Sequence, residues 1–348
     1  MNFLNVEISR YGKIALAVMA FCSVCLAAAT QESVPKDATF HYDNMTNLGI
    51  KAVRELSDNQ KNTVISPLVL YNSFSMLLLG ARGSTAKEIE NVLQCTKAEQ
   101  TEYGKWTALL LGSSTFGNEM NYKTTFLSPI SASPKKTYEQ QASTWFGARF
   151  GKQPDKVVCT DRAGIPYLEF KIITEAHFLA NWSTEFDPKE NRKQEFTFFD
   201  GRKEIRTFMR EVANPSYYED ENIQALIKEY REAEGNSYSC LFILPKKMNG
   251  IKDVLKTLDC ESISKIRSRS REGHGLLAIP KVKFEDQISI NDMCKRWGMK
   301  TMYMEGKADF SDMWNDPAVI LDVNLQTLLE ISEKGTEVLS KIGIEGGV

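Results

Sequence analysis

SEKGTEVLSKIGIEGGV occupies residues 332 to 348. The stretch opens as a charged turn, continues as an alternating run, and stops on Gly346, Gly347 and Val348 without a closing hydrophobic strand. Alternation with period two is the mark of a strand that buries one face. Its meaning depends on what the rest of the chain builds around it.

Upstream lie further runs of β-branched and aromatic residues bounded by Gly, Pro and Asn: LEFKIITEAHFL (168–179), SYSCLFILP (237–245), GLLAIPKVKF (275–284) and AVILDVNLQTLLEIS (318–332). These read as strands. The first hundred residues differ, because NLGIKAVREL (47–56) and PLVLYNSFSMLLLGARG (67–83) carry apolar residues at helical spacing. The second is apolar enough to be a buried helix, stopped at Gly80 and Gly83. STAKEIENVL (84–93) follows, with Ser84 and Thr85 ahead of Glu88 as a candidate cap for a third helix. Helices gathered early and strands late define an α+β protein. Between 96 and 165 only a weak helix around YEQQASTWFGARF is legible.

The chain has 348 residues, 42% of them hydrophobic and 25% charged, enough to bury a sizeable core. Its 43 basic and 45 acidic side chains leave a net charge of -2, so no global field draws it to nucleic acid or an anionic membrane. Arg10 and Lys13 precede the uncharged run IALAVMAFCSVCLAAA (14–29), which fits a secretory signal peptide over residues 1–29. That run is short of the roughly 20 residues a spanning helix needs. Cys22 and Cys25 would leave with the signal. Cys95, Cys159, Cys240, Cys260 and Cys294 remain, an odd and scattered set that argues against a disulfide scaffold. Export gives meaning to two acceptor sequons, at Asn44 and Asn181, with Asn44 favoured because Asn181 abuts Trp182.

Motifs for catalysis are missing. His41, His177 and His274 lie far apart without ligand spacing, so no metal or cofactor is expected. LGSSTFG (111–117) departs from the nucleophile-elbow pattern, and GARGST (80–85) lacks the Lys of a phosphate loop. Lys265, Arg267, Arg269 and Arg271 fall at every second position, and on an extended segment would share one face. That face could hold a polyanion, or serve as a solvated edge that blocks unwanted pairing.

Six fragments carry a family resemblance: NTVISPLVLYNSFSMLLLGARGSTAKEI (62–89), FLANWSTEFDP (178–188), LFILPKK (241–247), IPKVKFE (279–285), WGM with KADFSDM (297–313), and EISEKGTE (330–337). Their order and spacing resemble those of serpins over residues 40 to 342. The resemblance implies one domain over 38–348 with three β-sheets and eight or nine helices, and an exposed loop that a protease cuts. The front half of that loop then enters the main sheet as a new strand and carries the acylated protease with it. The implied partner is an extracellular serine protease, or a cysteine protease, with a glycosaminoglycan at the basic stretch. A secreted monomer is expected.

On this resemblance Glu333, Lys334, Gly335, Thr336 and Glu337 are the hinge of the loop, with Gly335 supplying backbone freedom. Three departures follow. Val338, Leu339, Ser340 and Lys341 stand where inhibitory members carry small residues. With period two, Thr336, Val338, Ser340 and Ile342 would point inward, and a larger inward group costs about 1 to 3 kcal/mol in a gap shaped for Ala. Where the sheet opens, Ser66 is kept, but Val69, Thr174 and Leu325 replace the family's polar partners. The family's spacing places the cut one residue past Val348, and the strands that follow the loop are not present, so a truncated form is expected. These departures leave two expectations: an impaired inhibitor, or a non-inhibitory serpin that binds, carries or chaperones.

Overall fold

The computed structural model describes residues 36–348 except 58–61, 113–118, 161–162, 199–200, 233–237 and 248–249. Residues 1–29, where a signal peptide is expected, lie outside the described residues. Eight α-helices are described: α1 Lys36–Leu56, α2 Pro67–Gly80, α3 Gly83–Leu93, α4 Gln100–Gly112, α5 Lys136–Phe146, α6 Ile251–Thr257, α7 Cys260–Arg269 and α8 Asn291–Arg296. Three sheets accompany them. The main sheet runs β12 (Val282–Ser289), β13 (Val319–Ile331), β14 (Gly335–Gly347), β4 (Pro166–Asn181), β1 (Met120–Pro129) and β2 (Ala148–Gln153), with β3 (Val157–Thr160) also on β4. A second sheet runs β10 (Arg271–Glu272), β7 (Ser216–Glu219), β8 (Ile223–Glu229) and β9 (Ser239–Pro245). The third runs β11 (Gly275–Pro280), β6 (Lys203–Ala213) and β5 (Arg192–Thr197). The α+β reading and the three-sheet expectation hold.

Helix α2 is apolar on all sides, and every one of its 14 residues is buried, as a helix of that composition must be. Ser66 caps it, its hydroxyl accepting from the Val69 N–H at 3.3 Å, and Pro67 opens the first turn. The helix contacts β4 and β14 and so backs the centre of the main sheet. One expectation for α3 fails: Arg82 holds the cap position, and no side chain caps the helix. Thr85 and Glu88 instead tie α3 to the segment after α8. The Asp309 N–H donates to Thr85 Oγ1 at 3.0 Å, and the Lys300 and Thr301 N–H groups donate to Glu88 Oε2 at 2.7 Å each.

Residues 96–165 hold more order than their polar composition suggests: α4, β1, α5, β2 and β3 all fall there, and only α5 is legible beforehand. Strand β1 earns its conformation from tertiary pairing, antiparallel to β4 and parallel to β2. Phe126 on β1 stacks on Phe170 of β4 with ring centroids 5.9 Å apart. Cys95, Cys159, Cys240, Cys260 and Cys294 are all free thiols, so among the described residues packing works without disulfides. One large core cluster spans residues from Met45 to Val348, and a second gathers Phe178, Trp182, Tyr230, Leu329 and Val338 at the upper end of the main sheet.

Candidate functional site

The stretch quoted first forms β14, a central strand of the main sheet. Residues 336–347 pair antiparallel with β13, interrupted once near Leu321, and residues 335–347 pair antiparallel with β4. Thr336, Val338, Ser340, Ile342 and Ile344 point inward, each at most 5% exposed. Glu337, Leu339, Lys341 and Glu345 face outward. Burying Val338, Ile342 and Ile344 contributes on the order of 5 to 9 kcal/mol as an upper bound. The slot therefore takes the larger inward residues.

A clamp holds the turn between β13 and β14. The Trp182 backbone N–H donates to the Lys334 carbonyl at 2.8 Å, the Phe186 N–H to the Glu333 carbonyl at 3.0 Å, and the Trp182 indole N–H to the Ser332 carbonyl at 3.0 Å. Trp182 is fully buried and stacks on Tyr230 at 4.5 Å between centroids. The Glu333 carboxylate accepts from Asn191 Nδ2 at 2.7 Å and meets Lys281 Nζ at 2.9 Å. Gly335 does not sit in the left-handed region. Its need is space, because an added Cβ would lie 2.0 Å from the Ala180 carbonyl oxygen. The freedom expected of Gly335 is thus a close approach in this state.

Burial opposes charge on Glu333, but the Asn191 and Lys281 hydrogen bonds outweigh it and hold the carboxyl below the usual glutamate range. A depressed folded value contributes stability above the unfolded glutamate pKa of about 4.3, lost as pH falls through the folded value. Thermal melts between pH 7 and pH 3 should show the midpoint dropping below about pH 5, and Glu333→Gln should flatten that drop. An unchanged acid limb in the variant would remove Glu333 from the account.

Deeper in the slot, Ile342 lies between Leu325 on β13 and Thr174 on β4, its direct partners on either side. Val69 packs in the same core cluster as Leu325 and Ile342, and Ser66 is spent on capping α2. Two of the four residues expected where the sheet opens thus flank β14. Thr174 Oγ1 and Ser340 Oγ are buried with no hydrogen-bond partner among the described residues. Each such group costs about 1 to 3 kcal/mol.

Two other expectations change. Lys265, Arg267 and Arg269 lie on helix α7 and only Arg271 on a strand, so alternate residues diverge by about 200° and the four do not share one face. Arg267 turns inward and donates to Ser239 Oγ at 3.3 Å. The order of the sequons also reverses, since Asn181 is exposed whereas Asn44 Nδ2 donates to the Gln94 carbonyl at 2.8 Å and Thr46 is 1% exposed. His274 Nδ1 meets Asn214 Oδ1 at 2.7 Å, and no metal-binding group of three side chains occurs among the described residues. Sequence reading missed Asn191, Lys281 and the outward residues of β4. No local signal marks them, because their partners lie far along the chain, 160 residues away for His177 and Glu337 and farther still for Lys171 and Glu345.

The family model described as Serpin (serine protease inhibitor) matches residues 43–154 and 169–346, and the chain belongs to the serpin family. It is 26% identical over 309 residues to an uncharacterized serpin-like protein of Thermococcus kodakarensis, covering 82% of this chain and 71% of the relative. It is 24% identical over 333 residues to a leukocyte elastase inhibitor of Xenopus tropicalis, covering 84% and 86%. Among solved structures, reactive-loop-cleaved human thyroxine-binding globulin superposes with a TM-score of 0.76 at 18% identity, covering 88% of this chain and 97% of that one. At that identity the likeness speaks for the fold.

Proposed function

We propose that this serpin is exported and inhibits serine-type endopeptidases by entry of residues 335–347 into the main sheet, with no hydrolytic activity of its own. The observation that supports this is the fit of β14, which pairs with a strand on each side and buries alternate side chains. A loop that enters the sheet after attack carries the acylated protease away from its working geometry before water resolves the ester. Speed decides the outcome, and the inward Val338 and Ile342 make entry slower than small residues would.

A carrier or binding role is the second reading. It is favoured by the hydroxyls of Thr174 and Ser340, which have no hydrogen-bond partner among the described residues and make the inserted state costlier than a satisfied interior. Incubating the gene product with a panel of serine and cysteine proteases separates the two. An SDS-stable complex of summed mass is expected for the inhibitor, and cleavage without complex would transfer the assignment to the binding role. Growth medium carrying the protein without its first 29 residues would support export.

A further inference from the structure

The inner face of β14 explains why the strand is buried, and the outer face carries a second pattern. Glu337, Lys341 and Glu345 recur at four-residue intervals, so an extended strand presents them on one side. Antiparallel β4 presents His177, Glu175 and Lys171 on the same side. Lys341 stands directly opposite Glu175, and Glu345 opposite Lys171. Glu337 Oε1 reaches diagonally to His177 Nε2 at 2.8 Å. Lys171 Nζ lies 3.2 Å from Glu345 and 3.4 Å from Glu169, while Lys123 on β1 lies 3.7 Å from Glu175.

The other edge is different. On β13 the residues opposite Glu337 and Glu345 are Glu330 and Asp322, which are like charges. Both are engaged elsewhere: Glu330 meets Lys283 Nζ at 3.1 Å, and Asp322 accepts from Ser289, Asn291 and Asn324. Attraction across the slot comes from β4.

The inward pattern alone does not fix how deep the strand goes. A slip of two residues keeps every inward side chain inward. Slipped one way, Glu345 would face Glu169 and Lys341 would face Ile173. Slipped the other way, Lys341 would face His177 and Glu345 would face Ile173. Both direct pairs of opposite charge are lost in either direction.

We propose that Lys341 and Glu345, matched by Glu175 and Lys171, set the depth to which the segment enters, so that the slot selects a strand bearing a positive and a negative group four residues apart. This rests on the reading that residues 335–347 are the inserting segment. The consequence is a stop: the strand halts where the charges meet.

Disulfide trapping reads the register directly. Leu339→Cys is combined with Leu328→Cys, Gln326→Cys or Glu330→Cys on β13, which report the observed register and the two slips; directly opposed pairs lie within disulfide reach. In the otherwise unaltered chain the bond between positions 339 and 328 should form about fivefold more than either alternative. Lys341→Glu or Glu175→Lys alone should bring the three traps toward parity, and the two together should restore the preference. Hydrogen exchange on the same proteins monitors whether residues 336–347 are protected. Protection with an unchanged preference in the single reversals, or no restoration in the double, overturns the charge stop and leaves the insertion reading intact. Free exchange of those amides in the unaltered chain overturns both.

Discussion

Trp182→Ala is expected to destabilise the protein by about 3 to 5 kcal/mol, the range for removing a large buried aromatic. Trp182 is fully buried, lies flat against Tyr230 and contacts the Phe242 ring at 6.3 Å between centroids. Its backbone and indole N–H groups hold the Lys334 and Ser332 carbonyls, so the same truncation frees a carbonyl at the turn that β14 needs. For a domain of this size a loss of that order lowers the melting midpoint by roughly 10 °C. Trp182→Phe separates the two contributions. It keeps most of the stacking and removes only the indole donor, so it should lose about 1 to 2 kcal/mol. If Trp182→Ala melts within a few degrees of the parent, the clamp is not a stabilising contact.

Gly335→Ala is expected to cost at least about 3 kcal/mol, at the upper end of overpacking, because the obstacle is backbone that cannot rotate away. The added methyl would lie 2.0 Å from the Ala180 carbonyl oxygen and 2.8 Å from Asn181 Cα. Either β4 moves or β14 leaves at its start. Hydrogen exchange should then show lost protection over residues 336–347 while α2 keeps its own. Gly343→Ala supplies the control on the same strand: a Cβ there meets nothing within 4 Å, so the change should stay within about 0.5 kcal/mol of the parent. Equal effects at the two glycines would show that strand propensity, and not the approach of Ala180, governs Gly335.

The two glycines also show what a sequence conceals. They lie eight residues apart in one stretch, and nothing local shows that only the first is closely approached. Their difference lies in a carbonyl oxygen about 155 positions earlier in the chain. The basic stretch fails for a related reason: KIRSRSR alternates like a strand, but Ile263 and Ile266 on one side of α7 are buried and draw the segment into a helix. Residues 96–165 were obscure because β1 and β2 are strands by virtue of their neighbours, and propensity is a weak guide where pairing decides.

The sequence by itself determined the α+β class, the buried helix behind the sheet, and the inward set Thr336, Val338, Ser340 and Ile342. These follow from periodicity and composition, which act within a few residues. Only the tertiary structure decided that the alternating segment lies between β13 and β4, that Trp182, Asn191 and Lys281 hold its entrance, and that Glu337, Lys341 and Glu345 meet His177, Glu175 and Lys171. Those outcomes depend on strand register, and register is set by contacts between residues far apart in the chain, which no local pattern encodes.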